Sequence, residues 1–97
     1  MTNKTPEQIV LESIELTLRY KKTELDLRFL SLVTLPVETF QIPYLEQLNI
    51  GSNQIKNIHP EIVQLKKLKC LIASDNQLTP LPPEISQPQE LKRLIIV

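Results

Sequence analysis

The sequence contains one glycine, one cysteine, one histidine and no tryptophan. A single glycine excludes the Gly-rich phosphate loops, which need several positions where backbone approaches phosphate. A single cysteine excludes a disulfide scaffold and a multi-thiolate zinc site. A lone histidine excludes His-pair metal motifs. With two Phe, two Tyr and no Trp there is no base-stacking platform. Charge of one sign is also lacking: Lys plus Arg number 11, and so do Asp plus Glu. A neutral chain has no electrostatic reason to seek nucleic acid or an anionic membrane. No apolar run approaches the roughly 18 residues of a membrane helix, and no signal peptide is visible. The 97 residues are enough for one small domain. The expected class is a soluble domain of a reducing, cytoplasmic compartment.

What the chain has in abundance is aliphatic residues: 17 Leu and 11 Ile. Their spacing is periodic. Leu25, Leu48, Leu71 and Leu94 lie 23 residues apart. Leu27, Ile50, Ala73 and Ile96 keep the same step, as do Leu32, Ile55 and Leu78, then Leu35, Ile58 and Leu81, then Leu45, Leu68 and Leu91. Polar columns follow: Leu30, Asn53 and Asn76, and Glu38, Glu61 and Glu84. A fixed period of this length marks a repeat architecture. Around each Leu-x-Leu the pattern has period two, so alternate side chains share a face. One such strand cannot bury that face alone, but stacked copies can, as a parallel sheet with return segments behind it. Strands are expected near 24–27, 47–50, 70–73 and 93–96. Pro36, Pro60, Pro82, Pro83 and Pro88 fall in the return segments, where a missing ladder N–H does no harm.

Residues 45–55 (LEQLNIGSNQI) and 68–78 (LKCLIASDNQL) resemble the leucine-rich-repeat core LxxLxLxxNxL. The tails IKNIHPEIVQLKK and TPLPPEISQPQE resemble the LPxEIxxLxx variable part of the 23-residue intracellular class. That class includes the repeats of Roco-type GTPases and of Ras-group adaptors. The resemblance spans 22–97, with repeats at 22–44, 45–67 and 68–90 and a partial one at 91–97. It implies an α/β fold: a short right-handed solenoid with a four-stranded parallel concave sheet. Asn53 and Asn76 are expected to satisfy backbone groups of adjacent turns. Leu30 replaces this Asn in the first repeat, so its turn is expected to be satisfied by the preceding segment. Phe40 stands near the Ile62–Val63 register and is expected to turn inward.

Residues 1–4 read as a flexible start and 5–21 as a capping helix. Thr5, Pro6 and Gln8 make an N-cap, a first-turn proline and a capping box. Val10 or Leu11, Ile14 and Leu18 give an apolar stripe, with Leu16 off it. Arg19, Lys21 and Lys22 suit the C-terminal dipole. Such a helix would cover the apolar edge of the first repeat. The expected strand at 93–96, followed by Val97, has no return segment to cover Leu94 and Ile96. Self-association, a longer repeat array, and gatekeeping by Lys92 and Arg93 are the competing accounts of that edge.

The positions flanking the strand leucines point to the concave face: Glu24, Asp26 and Arg28; Gln47, Asn49 and Gly51; Cys70, Ile72 and Ser74; Arg93, Ile95 and Val97. Across the sheet this face runs from charged to polar to apolar. Ile72 and Ile95 share one column and form a patch, which marks a protein contact. Cys70 and His59 fall on opposite sides of a solenoid, out of reach for nucleophile and base. The Glu38, Glu61 and Glu84 column reads as a solvated polar ladder rather than a cation site. No catalytic residue, metal or cofactor is expected. The functional expectation is a non-catalytic interaction scaffold or adaptor, binding a protein partner and self-associating as a homodimer through the C-terminal concave face and free edge strand. The alternative is a regulatory repeat module of a larger or neighbouring GTPase or effector enzyme. A small-ligand binder ranks below both.

Overall fold

The computed structural model describes residues 3–77, and the backbone of 93–95. Helix α1 spans Pro6–Arg19. Three-residue strands follow: β1 at Glu24–Asp26, β2 at Gln47–Asn49, β3 at Cys70–Ile72 and β4 at Arg93–Ile95. Short 3-10 turns at Val37–Gln41 and Pro60–Gln64 fill the return segments after β1 and β2. The strands pair in parallel, in chain order. The register is set by the 23-residue step: Leu25 faces Leu48, Leu48 faces Leu71, and Leu71 faces Leu94.

Strands β1, β2 and β3 each bury the central leucine and turn the flanking residues outward, as period two requires. Leu27, Ile50 and Ala73 continue the buried column, and Leu45 and Leu68 form another behind it. The return segments add Phe40, Ile42, Ile58, Ile62 and Leu65 to the same core. Phe40 does turn inward and is fully buried. The columns that continue through Leu78, Leu81, Glu84, Pro82, Pro83, Pro88, Leu91, Ile96 and Val97 lie outside the described residues.

Helix α1 begins as its sequence dictates. The Thr5 hydroxyl accepts from the Gln8 N–H, and the Gln8 side chain accepts from the Thr5 N–H. Its buried stripe differs from the sequence expectation. Val10, of the Val10 or Leu11 alternatives, and Ile14 are buried as expected, but the last place is taken by Thr17 while Leu18 stands exposed. Thr17 can sit inside because its hydroxyl donates to the Ser13 carbonyl, so no polar group is stranded. The Tyr44 hydroxyl donates to the Leu18 carbonyl at 2.9 Å, tying the helix end to the second repeat's approach.

The chain leaves β1, β2 and β3 through a left-handed residue. Phe29, Ser52 and Asp75, again 23 apart, have φ of 58, 54 and 55°. None is glycine, so each turn carries strain of about 1 kcal/mol, offset by the hydrogen bonds it permits.

Thr39 is buried, and its hydroxyl has no hydrogen-bond partner among the described residues. A polar atom kept from water without a partner is destabilising. Thr39→Val keeps the shape and removes that atom. The expected gain is about 1 kcal/mol, or a melting midpoint about 4–8 °C higher, read by thermal denaturation.

Candidate functional site

The exposed face of the sheet carries the candidate site, and its polar frame is built by two asparagines. Asn53 is buried just past β2. Its Oδ1 accepts from the Leu30 and Leu32 N–H groups, both at 3.0 Å. Its amide nitrogen shares its two N–H groups among the carbonyls of Leu27, Ile50 and Gly51. Asn76 repeats the arrangement one turn on, donating to Ile50, Ala73 and Ser74 carbonyls and accepting from the Ile55 N–H. The expected backbone role of these residues is therefore observed. The expectation for Leu30 needs correction. Its turn is satisfied from the following repeat, by Asn53, and not by the preceding segment. An Asn at this position reaches back one repeat as well as into its own, so the first turn can do without one.

On the face itself, the ladder runs Asp26, Asn49, Ile72 and Ile95 in backbone register. Glu24, Gln47, Cys70 and Arg93 form the neighbouring ladder. Val97 lies outside the described residues, and for Arg93 and Ile95 only the backbone position is described. Glu24, Asp26 and Arg28 are exposed, while Gln47, Asn49, Cys70 and Ile72 are half-buried. The Arg28 guanidinium donates to both carboxylate oxygens of Asp26, at 3.0 Å from Nε and 2.8 Å from Nη2. Those hydrogen bonds hold the Asp26 carboxyl below its ordinary range. The contribution is present above the ordinary aspartate pKa and fades as pH falls through the lowered one. An exposed pair of this kind adds little stability, but it fixes the charged end of the face in one geometry.

Asn49 turns its Oδ1 onto the Gly51 N–H. Gly51 is buried, and a Cβ there would lie 3.2 Å from Asn49 Oδ1 and 3.4 Å from the Ser74 carbonyl. The one glycine therefore marks a tight approach between neighbouring repeats.

His59 and Cys70 have separate settings. His59 caps the 3-10 turn, its Nδ1 accepting from the Glu61 N–H, and its ring stacks on Phe40 at 6.0 Å. Cys70 lies half-buried on β3. Among the described residues no three His, Cys, Asp or Glu side chains are grouped to hold a metal ion, and no helix is long and apolar enough to cross a membrane.

The sequence reading missed Phe29, which is 75% exposed beside Arg28, and the cleft between α1 and β1. Neither had a signal in residue type: the column of Phe29 continues as Ser52 and Asp75, and the cleft belongs to the edge of the array.

Comparison with known proteins agrees with this geometry. The leucine-rich-repeat family model matches residues 23–78. A leucine-rich-repeat protein of Leptospira interrogans, of known structure, is 34% identical and superposes with a TM-score of 0.76. That match covers 97% of this chain and 22% of the solved one. No curated protein matches the sequence. Period, register, asparagine ladder and family match coincide: the chain belongs to the leucine-rich-repeat family.

Proposed function

We propose that the chain is a non-catalytic protein-interaction module, and that its concave strand face is the contact surface. The observation that carries this reading is the ladder from the Asp26–Arg28 pair through Asn49 to half-buried Ile72, with Ile95 next in register. One end offers fixed charge and the other apolar surface, the combination a protein partner uses for orientation and for burial. In this reading the whole chain is a right-handed four-stranded solenoid with α1 as its N-terminal cap, since parallel strand crossovers are right-handed. The half-exposed thiol of Cys70 suits a reducing, cytoplasmic setting.

The reading extends to self-association. A two-fold homodimer would set the Ile72 patch of one copy against that of the other. Sedimentation of wild type, Ile72→Asp, Ile95→Asp and Asp26→Ala tests it. The expected result is concentration-dependent association of wild type that either isoleucine variant weakens more than Asp26→Ala does. A monomeric wild type at high micromolar concentration would rule out the homodimer.

A second reading is a module of a longer protein, such as the repeat segment regulating a GTPase or effector enzyme. It is favoured by one comparison: this chain corresponds to 22% of the Leptospira protein it resembles.

A further inference from the structure

Strand β1 is an edge of the sheet. The Thr23 carbonyl and the Leu27 N–H both bond towards β2. Backbone groups alternate in direction along a strand, so those of Leu25 share that side. The N–H and C=O groups of Glu24 and Asp26 therefore point away from β2, to the outer edge. An open cleft of about 680 Å³ lies there, lined by consecutive residues Thr23–Asp26 and by the last turns of α1. Consecutive strand residues line one cleft only when it runs along the strand's edge, because alternate side chains leave on opposite faces.

The cleft also has a floor and a charge. Leu16, 44% exposed, supplies an apolar wall from α1. Lys21 and Lys22 line its mouth and are exposed. The helix-end carbonyls of Leu16, Thr17 and Leu18 are taken by the N–H groups of Tyr20, Lys22 and Lys21. Their negative charge is thus already compensated. With Asp26 neutralised by Arg28, the remaining charges of the cleft are two lysines against Glu24.

We propose that this cleft takes an extended, acidic peptide segment of a partner protein as an added strand on β1. Main-chain hydrogen bonds to Glu24 and Asp26 would supply affinity. Carboxylates near Lys21 and Lys22, and an apolar side chain on Leu16, would supply selectivity. The site adjoins the charged end of the concave face, sharing Glu24 and Asp26 with it, but does not rest on the function proposed for that face.

Amide hydrogen exchange on the full chain, followed by NMR, tests the proposal. The probe is a capped hexapeptide of alternating valine and glutamate. At near-saturating peptide the Glu24 and Asp26 amides are expected to exchange about tenfold more slowly, while the Leu25 amide, already bonded to β2, changes little. Reversing both lysines (Lys21→Glu with Lys22→Glu) is expected to weaken binding about tenfold, as is replacing the peptide's glutamates with lysines. Glu24→Pro removes an edge N–H without touching the β2 ladder, and is expected to abolish the protection at unchanged circular dichroism. Ile72→Asp leaves it intact, which separates this site from the apolar end of the concave face. Unchanged Glu24 and Asp26 exchange at millimolar peptide overturns the proposal, and so does equal binding of the lysine peptide.

Discussion

Asn53→Ala is expected to destabilise the protein by about 3–5 kcal/mol, enough to unfold much of a small domain at room temperature. The side chain is buried and serves two N–H groups and three carbonyls from two successive repeats. Alanine leaves them in a space closed to water, where each orphaned group costs about 1–3 kcal/mol before relaxation. The loss is not confined to one turn, because the Leu30 and Leu32 N–H groups belong to the first repeat and the Ile50 and Gly51 carbonyls to the second. Asn76→Ala should cost less. Asn76 is half-buried, and among the described residues its Oδ1 accepts from the Ile55 N–H alone. Urea denaturation of the two variants gives the comparison, and equal midpoints would show that burial does not set the difference.

Phe40→Ala is expected to cost about 3–5 kcal/mol. Phe40 is 1% exposed and is the largest of the fully buried side chains among the described residues. It also stacks on His59 of the next return segment. Truncation would open a cavity between successive turns, and close packing lets such a hole collapse only in part. Phe29 provides a control of the same chemistry. It is 75% exposed at a left-handed turn, so Phe29→Ala should shift the urea midpoint little. A large loss at Phe29 with a small one at Phe40 would mean that the return segments do not pack as described.

Much of the fold was legible because a solenoid writes its long-range contacts into its own period. Leu25, Leu48 and Leu71 become neighbours because they are separated by one turn of the coil. The asparagine role followed from the same step. What the period could not show lies where repeats meet something other than a repeat. Thr17 takes the buried place expected of Leu18 because its hydroxyl finds the Ser13 carbonyl, a local bond that apolar counting ignores. Leu30 needs no asparagine because Asn53 reaches back to it, and direction along the coil is not visible in a column of letters. Of the candidate site, the residue ladder was readable and its register was correct from Glu24 to Ile72. The bidentate Asp26–Arg28 geometry and the edge cleft were not, since each depends on side-chain or helix placement at the first repeat.

A cross-link tests the 23-residue register most directly. Gln47 on β2 stands opposite Cys70 on β3, and parallel neighbours about 4.8 Å apart fall within disulfide reach. Mild oxidation of Gln47→Cys is expected to join it to Cys70 within one chain, seen as a faster-migrating band on non-reducing electrophoresis. Asn49→Cys, two residues out of step and about 8 Å from Cys70 by strand geometry, is expected not to close. An intramolecular bond formed by Asn49→Cys in place of Gln47→Cys would contradict the register.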